Sequence, residues 1–277
     1  MDAAVTSLDN ARRITNFLRG RMELRVRPTD VFVSSYPRSG TTLTQWILYL
    51  LTHEAEPGPT HLTQVSPWFE RSLAIGELTA ADLERLPSPR VFKSHLPRHW
   101  LPDGAQYIYV ERDRLDVLVS YFYFYRAYLG FDGTLDAFYE RFVNGRVQYG
   151  SWFEHVAEWH GRAADSDVLI VRYEDLLDDR KKSIERMVGF LGWELGERTI
   201  DRAVIESSFD AMKRRESIFD HATALLLERG VSPQAFLRAG QRGGGAAELS
   251  AEQIRGVRER SSRVRPLAIR GLAAYLQ

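Results

Sequence analysis

The chain has 277 residues, 44% of them hydrophobic, with 37 Lys plus Arg against 37 Asp plus Glu and no Cys. That length suits one large α/β domain or two small ones. Balanced charge offers no global field for nucleic acid or an anionic membrane, so neither is expected as a partner, and the missing Cys excludes disulfides, thiolate catalysis and Cys-based zinc sites. The seven His show no H-E-x-x-H-type spacing, and no metal is expected. Only 4 of the basic residues are Lys, so each Lys draws attention. Met1 to Arg27 is charged and has no apolar signal-peptide core, and no later run approaches transmembrane length; a cytoplasmic protein is expected.

Residues 1 to 27 read as a short amphipathic helix and an Arg-rich approach, broken at Pro28-Thr29-Asp30. Val31 to Ser35 is a β-branched and aromatic run, the mark of a buried strand. The turn Tyr36-Pro37-Arg38-Ser39-Gly40 follows. Thr41 to Leu51 then reads as a helix with Leu43, Trp46, Ile47, Leu50 and Leu51 on one apolar face. Strand, Gly-containing turn and helix start make an anion site, because the first helical N–H groups lack intrahelical partners and the helix dipole adds partial positive charge. Ser39, Thr41 and Thr42 add hydroxyl donors and Arg38 a fixed planar cation, so the loop is expected to hold a phosphate-like group. Alone, the same residues could be a surface turn. The usual P-loop is also absent: Ser35 stands in place of its first Gly, and Thr41 follows Gly40 where Lys is expected.

Glu54 to Pro67 is a loop by composition and ends in Trp68-Phe69. Thr79 to Leu86 predicts a short helix with Thr79 as cap and Asp82 three residues on, ended by Pro87-Ser88-Pro89. Strands are expected at Arg90 to Lys93, Gln106 to Glu111 and Val168 to Val171. Helices are expected at Arg114 to Tyr128, Thr134 to Val143, Ser151 to His160, Arg180 to Leu191 and Glu197 to Ser207. This alternation, with no tight hairpin between strands, predicts an α/β fold with a central parallel sheet and crossover helices. Ligands in such sheets sit at the carboxyl ends of strands. Arg38 to Thr42, Lys93 to His95, Arg112 to Ser120 and Tyr173 all fall there. From about residue 215 regularity falls. Arg238 to Ala247 reads as a flexible Gly-rich loop, and Glu248 to Arg263 as a final polar helix.

These segments, in this order, resemble the cytosolic sulfotransferases that use 3′-phosphoadenosine 5′-phosphosulfate (PAPS). The resemblance rests on Tyr-Pro-Arg-Ser-Gly-Thr-Thr at 36–42, Phe-Lys-Ser-His-Leu-Pro at 92–97, Val-Glu-Arg-Asp at 110–113, Val-Ser-Tyr-Phe-Tyr-Phe-Tyr at 119–125, Tyr-Gly-Ser-Trp-Phe-Glu-His-Val at 149–156, Tyr-Glu-Asp-Leu at 173–176 and Ser-Ser-Phe-Asp-Ala-Met at 207–212. It implies one sulfotransferase domain over residues 1–277 with a P-loop-like parallel sheet. Residues 28–212 would form the core, and 213–277 the acceptor cap, late phosphate loop and C-terminal helix.

Sulfuryl transfer needs a base on the acceptor hydroxyl and cations where charge gathers on the leaving phosphate. A neutral His suits the first task, and His95 lies two residues after Lys93. The resemblance implies that His95 is the base of an in-line attack, that Lys93 and Arg38 support the leaving group, and that Arg112 and Ser120 clamp the 3′-phosphate. It also implies nucleotide contacts from Ser39, Gly40, Thr41, Thr42 and Leu43, from Tyr173, Ser207, Ser208, Phe209 and Met212, and from Arg238, Ala239 and Gly240. The product would be adenosine 3′,5′-bisphosphate (PAP), with no metal required. Trp68, Phe69, Tyr123, Phe131, Phe142, Tyr149 and the 215–237 segment are expected to wall a pocket for a small-molecule hydroxyl acceptor, apolar or phenolic.

Four departures from the family pattern stand out. Arg38 replaces the usual Lys. Leu43 replaces a Trp that stacks on adenine. Ala239 replaces the Lys of Arg-Lys-Gly, and Gly243-Gly244-Gly245 replaces Gly-Asp-Trp. The animal enzymes' C-terminal dimer motif is also not visible, which leaves a homodimer open. A small-molecule kinase or NTPase, with Glu111, Asp113 or Glu174 as a Mg²⁺ ligand, and a non-catalytic nucleotide-binding scaffold are the rival readings.

Overall fold

The computed structural model describes residues 3–53, 58–220, 243–262, 272, 275 and 276. Four strands, β1 (Val31–Ser35), β2 (Val91–Ser94), β3 (Gln106–Glu111) and β4 (Val168–Arg172), pair in parallel in the order β2-β1-β3-β4. Val33 lies opposite Lys93 on one side, and Ser35 opposite Val110 on the other. The chain leaves β1 to one side for β2 and returns to the other side for β3. This reversal opens a crevice at the carboxyl ends of β1 and β3.

Strand residues alternate between two faces, and the two faces carry different chemistry. Val31, Val33, Ile108, Val110, Leu169 and Val171 pack with α2 (Thr41–Thr52) and α9 (Arg180–Leu191). Phe32, Phe92, Tyr107 and Tyr109 face the opposite layer, with Phe17 of α1 (Ala3–Glu23), Phe69 of α3 (Phe69–Ile75) and Trp159 of α7 (Trp152–His160). Phe32 meets Phe69 edge-on at 5.1 Å, and Tyr109 stacks on Trp159 at 4.8 Å. Such pairs add about 0.5–1.5 kcal/mol each beyond burial of their area. At the amino edge, fully buried Arg90 bonds both oxygens of Asp30, at 2.7 and 2.5 Å, and the Arg25 carbonyl at 2.7 Å.

The expected alternation of strands and helices is observed. The order also includes α4 (Ala80–Glu84), α5 (Arg114–Tyr128), α6 (Leu135–Val143) and α10 (Glu197–Glu206). Asp113 caps α5 by accepting from the Leu115 and Asp116 N–H groups. Three helices fall where none is expected: α3, α8 (Tyr173–Asp178) and α11 (Phe209–Arg214). Each is seven residues or fewer, too short for an apolar period to show. The Gly-rich stretch also differs from the flexible loop that its composition suggests. Gly244–Glu248 is helical, and Ala251–Ser262 forms a further helix after it. No described helix is long and apolar enough to cross a membrane.

Candidate active site

The turn between β1 and α2 is built from two left-handed residues, Arg38 at φ 70° and Gly40 at φ 106°. A Cβ on Gly40 would stand 2.6 Å from Cδ2 of Tyr173, so the close approach of β1's turn to α8 requires glycine there. Buried Tyr36 anchors the turn through its hydroxyl to the Gly150 carbonyl at 2.8 Å. The Ser35 and Thr41 hydroxyls share a 2.5 Å bond across its base. Ser39 is 1% exposed, and its Oγ has no hydrogen-bond partner among the described residues. Arg38 donates from Nε to Ser120 Oγ at 3.2 Å, and its guanidinium lies 5.3 Å from the Phe124 ring centre. The start of α2, the Arg38 fork and the Ser120 hydroxyl thereby converge on a cavity of about 340 Å³.

β2 delivers Lys93 and His95 to the same cavity. His95 is almost wholly buried, and its Nδ1 lies 2.8 Å from the Ser35 carbonyl. A carbonyl only accepts, so Nδ1 carries the proton and Nε2 keeps the lone pair. Burial, then the Lys93 charge, hold His95 well below its ordinary proton affinity, so the ring is neutral. Behind it, Tyr109 donates to His155 Nδ1 at 2.9 Å, and His155 Nε2 donates to the His95 carbonyl at 3.1 Å. His155 is likewise kept neutral by burial, with its pKa lowered to about 4. Lys93 Nζ sits 3.7 Å from the Trp68 ring centre, and burial lowers its pKa to about 7. Trp68 in turn donates its indole N–H to Glu70 at 2.6 Å.

The opposite end of the cavity is basic but closed by an acid. Arg112 donates to the Arg38 carbonyl at 3.2 Å and lies over the Tyr173 ring at 4.7 Å. Its NH2 is 3.9 Å from Asp116. The two oxygens of buried Asp116 accept from Gly243 N at 2.8 Å and Gly245 N at 2.7 Å. A Cβ on Gly245 would lie 2.4 Å from the Leu115 carbonyl oxygen. These contacts dock the glycine turn on the first turn of α5, a tertiary effect that composition cannot carry.

A sulfotransferase domain model matches residues 28–263. The chain belongs to the sulfotransferase family. Mouse sulfotransferase 4A1 is 35% identical over 232 residues, which span 79% of this chain and 78% of that protein. Bovine sulfotransferase 1A1 is 36% identical over 225 residues, 74% of this chain and 76% of that protein. Among solved structures, mouse sulfotransferase SULT7A1 complexed with PAP superposes with a TM-score of 0.69 at 26% identity, over 90% of this chain and 88% of that one. A retinol dehydratase in complex with androsterone and PAP gives a TM-score of 0.77 at 24% identity over 93% and 88%, a likeness of fold.

Most residues singled out in the sequence of this sulfotransferase do meet at the cavity. Arg38 and Gly40 line it from the turn, Thr41, Thr42 and Leu43 from the start of α2, Lys93 and His95 from the end of β2, Arg112 from the link between β3 and α5, and Ser120 from α5. Tyr173, Phe209 and Met212 close one side, and Trp68 and Tyr149 the other. Several do not reach it. Ser39 is buried beside it, Ser207 donates to the Val204 carbonyl at 3.4 Å, and Ser208 caps α11.

Four residues of the expected aromatic wall do not line this cavity. Phe69 packs between Phe17 and Phe32, and Phe142 against Tyr36 and Phe153; both are wholly buried in the core. Phe131 packs on Phe138 and under Arg141, and Tyr123 bonds Glu248 at 2.6 Å. Arg238, Ala239, Gly240 and all but the first six residues of the 215–237 segment lie outside the described residues. The cavity also contains residues that sequence reasoning did not select: Asp116, Phe124, Gln148 and Glu248. Asp116 alone had a signal, its i+4 spacing from Arg112.

Proposed function

We propose that this sulfotransferase transfers a sulfo group from PAPS to the hydroxyl of a small apolar or phenolic acceptor, with His95 as base. The supporting observation is the 2.8 Å bond from His95 Nδ1 to the Ser35 carbonyl, which leaves Nε2 as a lone-pair acceptor in a cavity shared with Lys93 and Arg38. The residues present fit the donor. The left-handed turn at Arg38 and Gly40 and the start of α2 with the Thr41 and Thr42 hydroxyls suit a 5′-phosphate, and Arg112 with Ser120 suits a 3′-phosphate. The PAP bound to the mouse structural relative supports the same nucleotide here.

When bound, PAPS supplies the sulfo group and a phosphate leaving group. His95 Nε2 takes the acceptor hydroxyl proton as the new oxygen–sulfur bond forms and the sulfur–phosphate oxygen bond breaks in line. Lys93 and Arg38 answer the negative charge that grows on the leaving side. Arg38 does so without giving a proton, because its guanidinium does not titrate near neutrality. Trp68, Tyr149 and Phe124 supply an aromatic wall for the acceptor. The chain acts as one sulfotransferase domain in the cytoplasm.

Incubation of the purified protein with radiolabelled PAPS and a panel of phenols and alcohols tests this reading. Label should appear in an acceptor ester with wild type and be lost with His95→Gln. Transfer unimpaired in His95→Gln would overturn the assigned base. Phosphorylation of the panel from Mg-ATP, in place of sulfation, would establish the kinase reading.

A further inference from the structure

Glu70 is a fully buried acid beside the reacting groups, yet the mechanism above does not use it. It stands in the first turn of α3 and accepts two bonds at a single oxygen. Oε1 takes the Trp68 indole N–H at 2.6 Å and the backbone N–H of His95 at 2.8 Å. Oε2 is buried with no hydrogen-bond partner among the described residues. A role confined to packing would favour an apolar side chain here, since a carboxylate in a dry site is costly unless its charge is answered. The answering charge is one layer away: the indole that Oε1 holds is the ring over which Lys93 Nζ sits at 3.7 Å.

We infer that Glu70 is a positioning residue for sulfo transfer: its carboxylate ties the main chain at His95 to the indole beneath Lys93, and its charge keeps Lys93 an ammonium facing the cavity. This rests on the sulfotransferase reading of the site. The charged groups acting on Lys93 come from two elements. Arg71 of α3 and Arg38 of the turn disfavour the ammonium, and Glu70 favours it. Around His95 the corresponding groups are Lys93, His155 and Arg38, all of which favour the neutral ring. Burial raises the Glu70 pKa, while the Trp68 and His95 donors lower it. One acid thus stands against three cations at the point where charge must be present.

The four Lys of the chain make a direct test practical. Protein labelled with ¹³C at lysine Cε gives four signals, and Lys93→Arg identifies the one that belongs to Lys93. In wild type that signal should titrate with a midpoint of about 7. Glu70→Gln keeps an oxygen for Trp68 and His95 but removes the charge. Its Lys93 midpoint should fall by about one pH unit or more, with kcat at pH 7.5 reduced about tenfold. An unchanged midpoint and kcat would overturn the inference. Should Glu70→Gln not fold, Trp68→Phe carries the test: it keeps a ring under Lys93 and the Glu70 charge but deletes the tether. It should lower kcat about fivefold with PAP affinity unchanged, and a wild-type kcat would overturn the tether. Wild-type protein that transfers no sulfo group to any acceptor would instead reject the underlying sulfotransferase reading, whatever the Lys93 titration shows.

Discussion

Replacing Lys93 with Met should stabilise the folded chain while abolishing sulfo transfer. Burial lowers the Lys93 pKa from an ordinary 10.5 to about 7. In the unfolded chain the ammonium is solvated and keeps the ordinary value. The unfolded state therefore holds one more proton than the folded state between about pH 7 and 10.5, and wild-type stability rises with pH across that window. Below the window the folded protein must carry the buried ammonium, at a cost of about 5 kcal/mol at about 1.4 kcal/mol per pH unit. Two terms offset part of the gain from Met. The contact with the Trp68 ring is worth about 1–2 kcal/mol, and Glu70 is left without its counter-charge. A net gain of about 2 kcal/mol is expected at pH 6. The more decisive quantity is the pH dependence. Between pH 6 and pH 9 the difference between variant and wild type should shrink by about 3 kcal/mol. Urea unfolding followed by Trp fluorescence at both pH values reads it. A difference that does not change with pH would refute the reasoning, because it would mean that Lys93 is not buried as an ammonium.

Gly40→Ala should weaken PAP binding at least about tenfold, since the new Cβ would meet Tyr173 at 2.6 Å and the φ of 106° disfavours a side chain; calorimetry showing wild-type affinity would contradict it. Phe69→Ala and Trp68→Ala, at adjacent positions, should separate cleanly. The first should lower stability by about 3–5 kcal/mol with acceptor KM unchanged. The second should cost less stability, about 1–2 kcal/mol from the lost Lys93 contact, while raising acceptor KM and lowering kcat, and the reverse pattern would contradict the assigned faces. The rate should show no acid limb near the ordinary His value, because His95 is neutral well below it. As pH rises through about 7, kcat/KM should decline as Lys93 loses its proton. A single acid limb at pH 6.5 would contradict both assignments.

Much of this arrangement is legible in the chain order because its signals are local. β1 is a run of β-branched and aromatic residues next to a glycine turn, and α5 starts after a capping Asp113 and ends at Tyr128 as its pattern implies. Parallel strands alternating with helices place every strand-end motif at one edge, so Arg38, Lys93, His95, Arg112 and Ser120 could be grouped before any coordinate was known. The failures have a common cause. Trp68 and Phe69 are equally aromatic, and only the start of α3 between them turns one toward the cavity and the other into the core. The glycines at 243–245 read as a flexible loop because the partner that orders them, Asp116, lies more than a hundred positions away. Glu70 resembles any polar residue near a helix start. Its significance comes from two donors, at Trp68 and His95, which the fold alone brings together.

The central claim is that this crevice is a PAPS site, and isothermal titration with PAP in the absence of metal tests it most directly. Wild type should bind PAP tightly and prefer it to Mg-ADP. Arg112→Ala should lose most of that affinity, because Arg112 sits between the Arg38 carbonyl and the Tyr173 ring where the 3′-phosphate is assigned. Preference for Mg-ADP, or PAP binding indifferent to Arg112, would contradict the account.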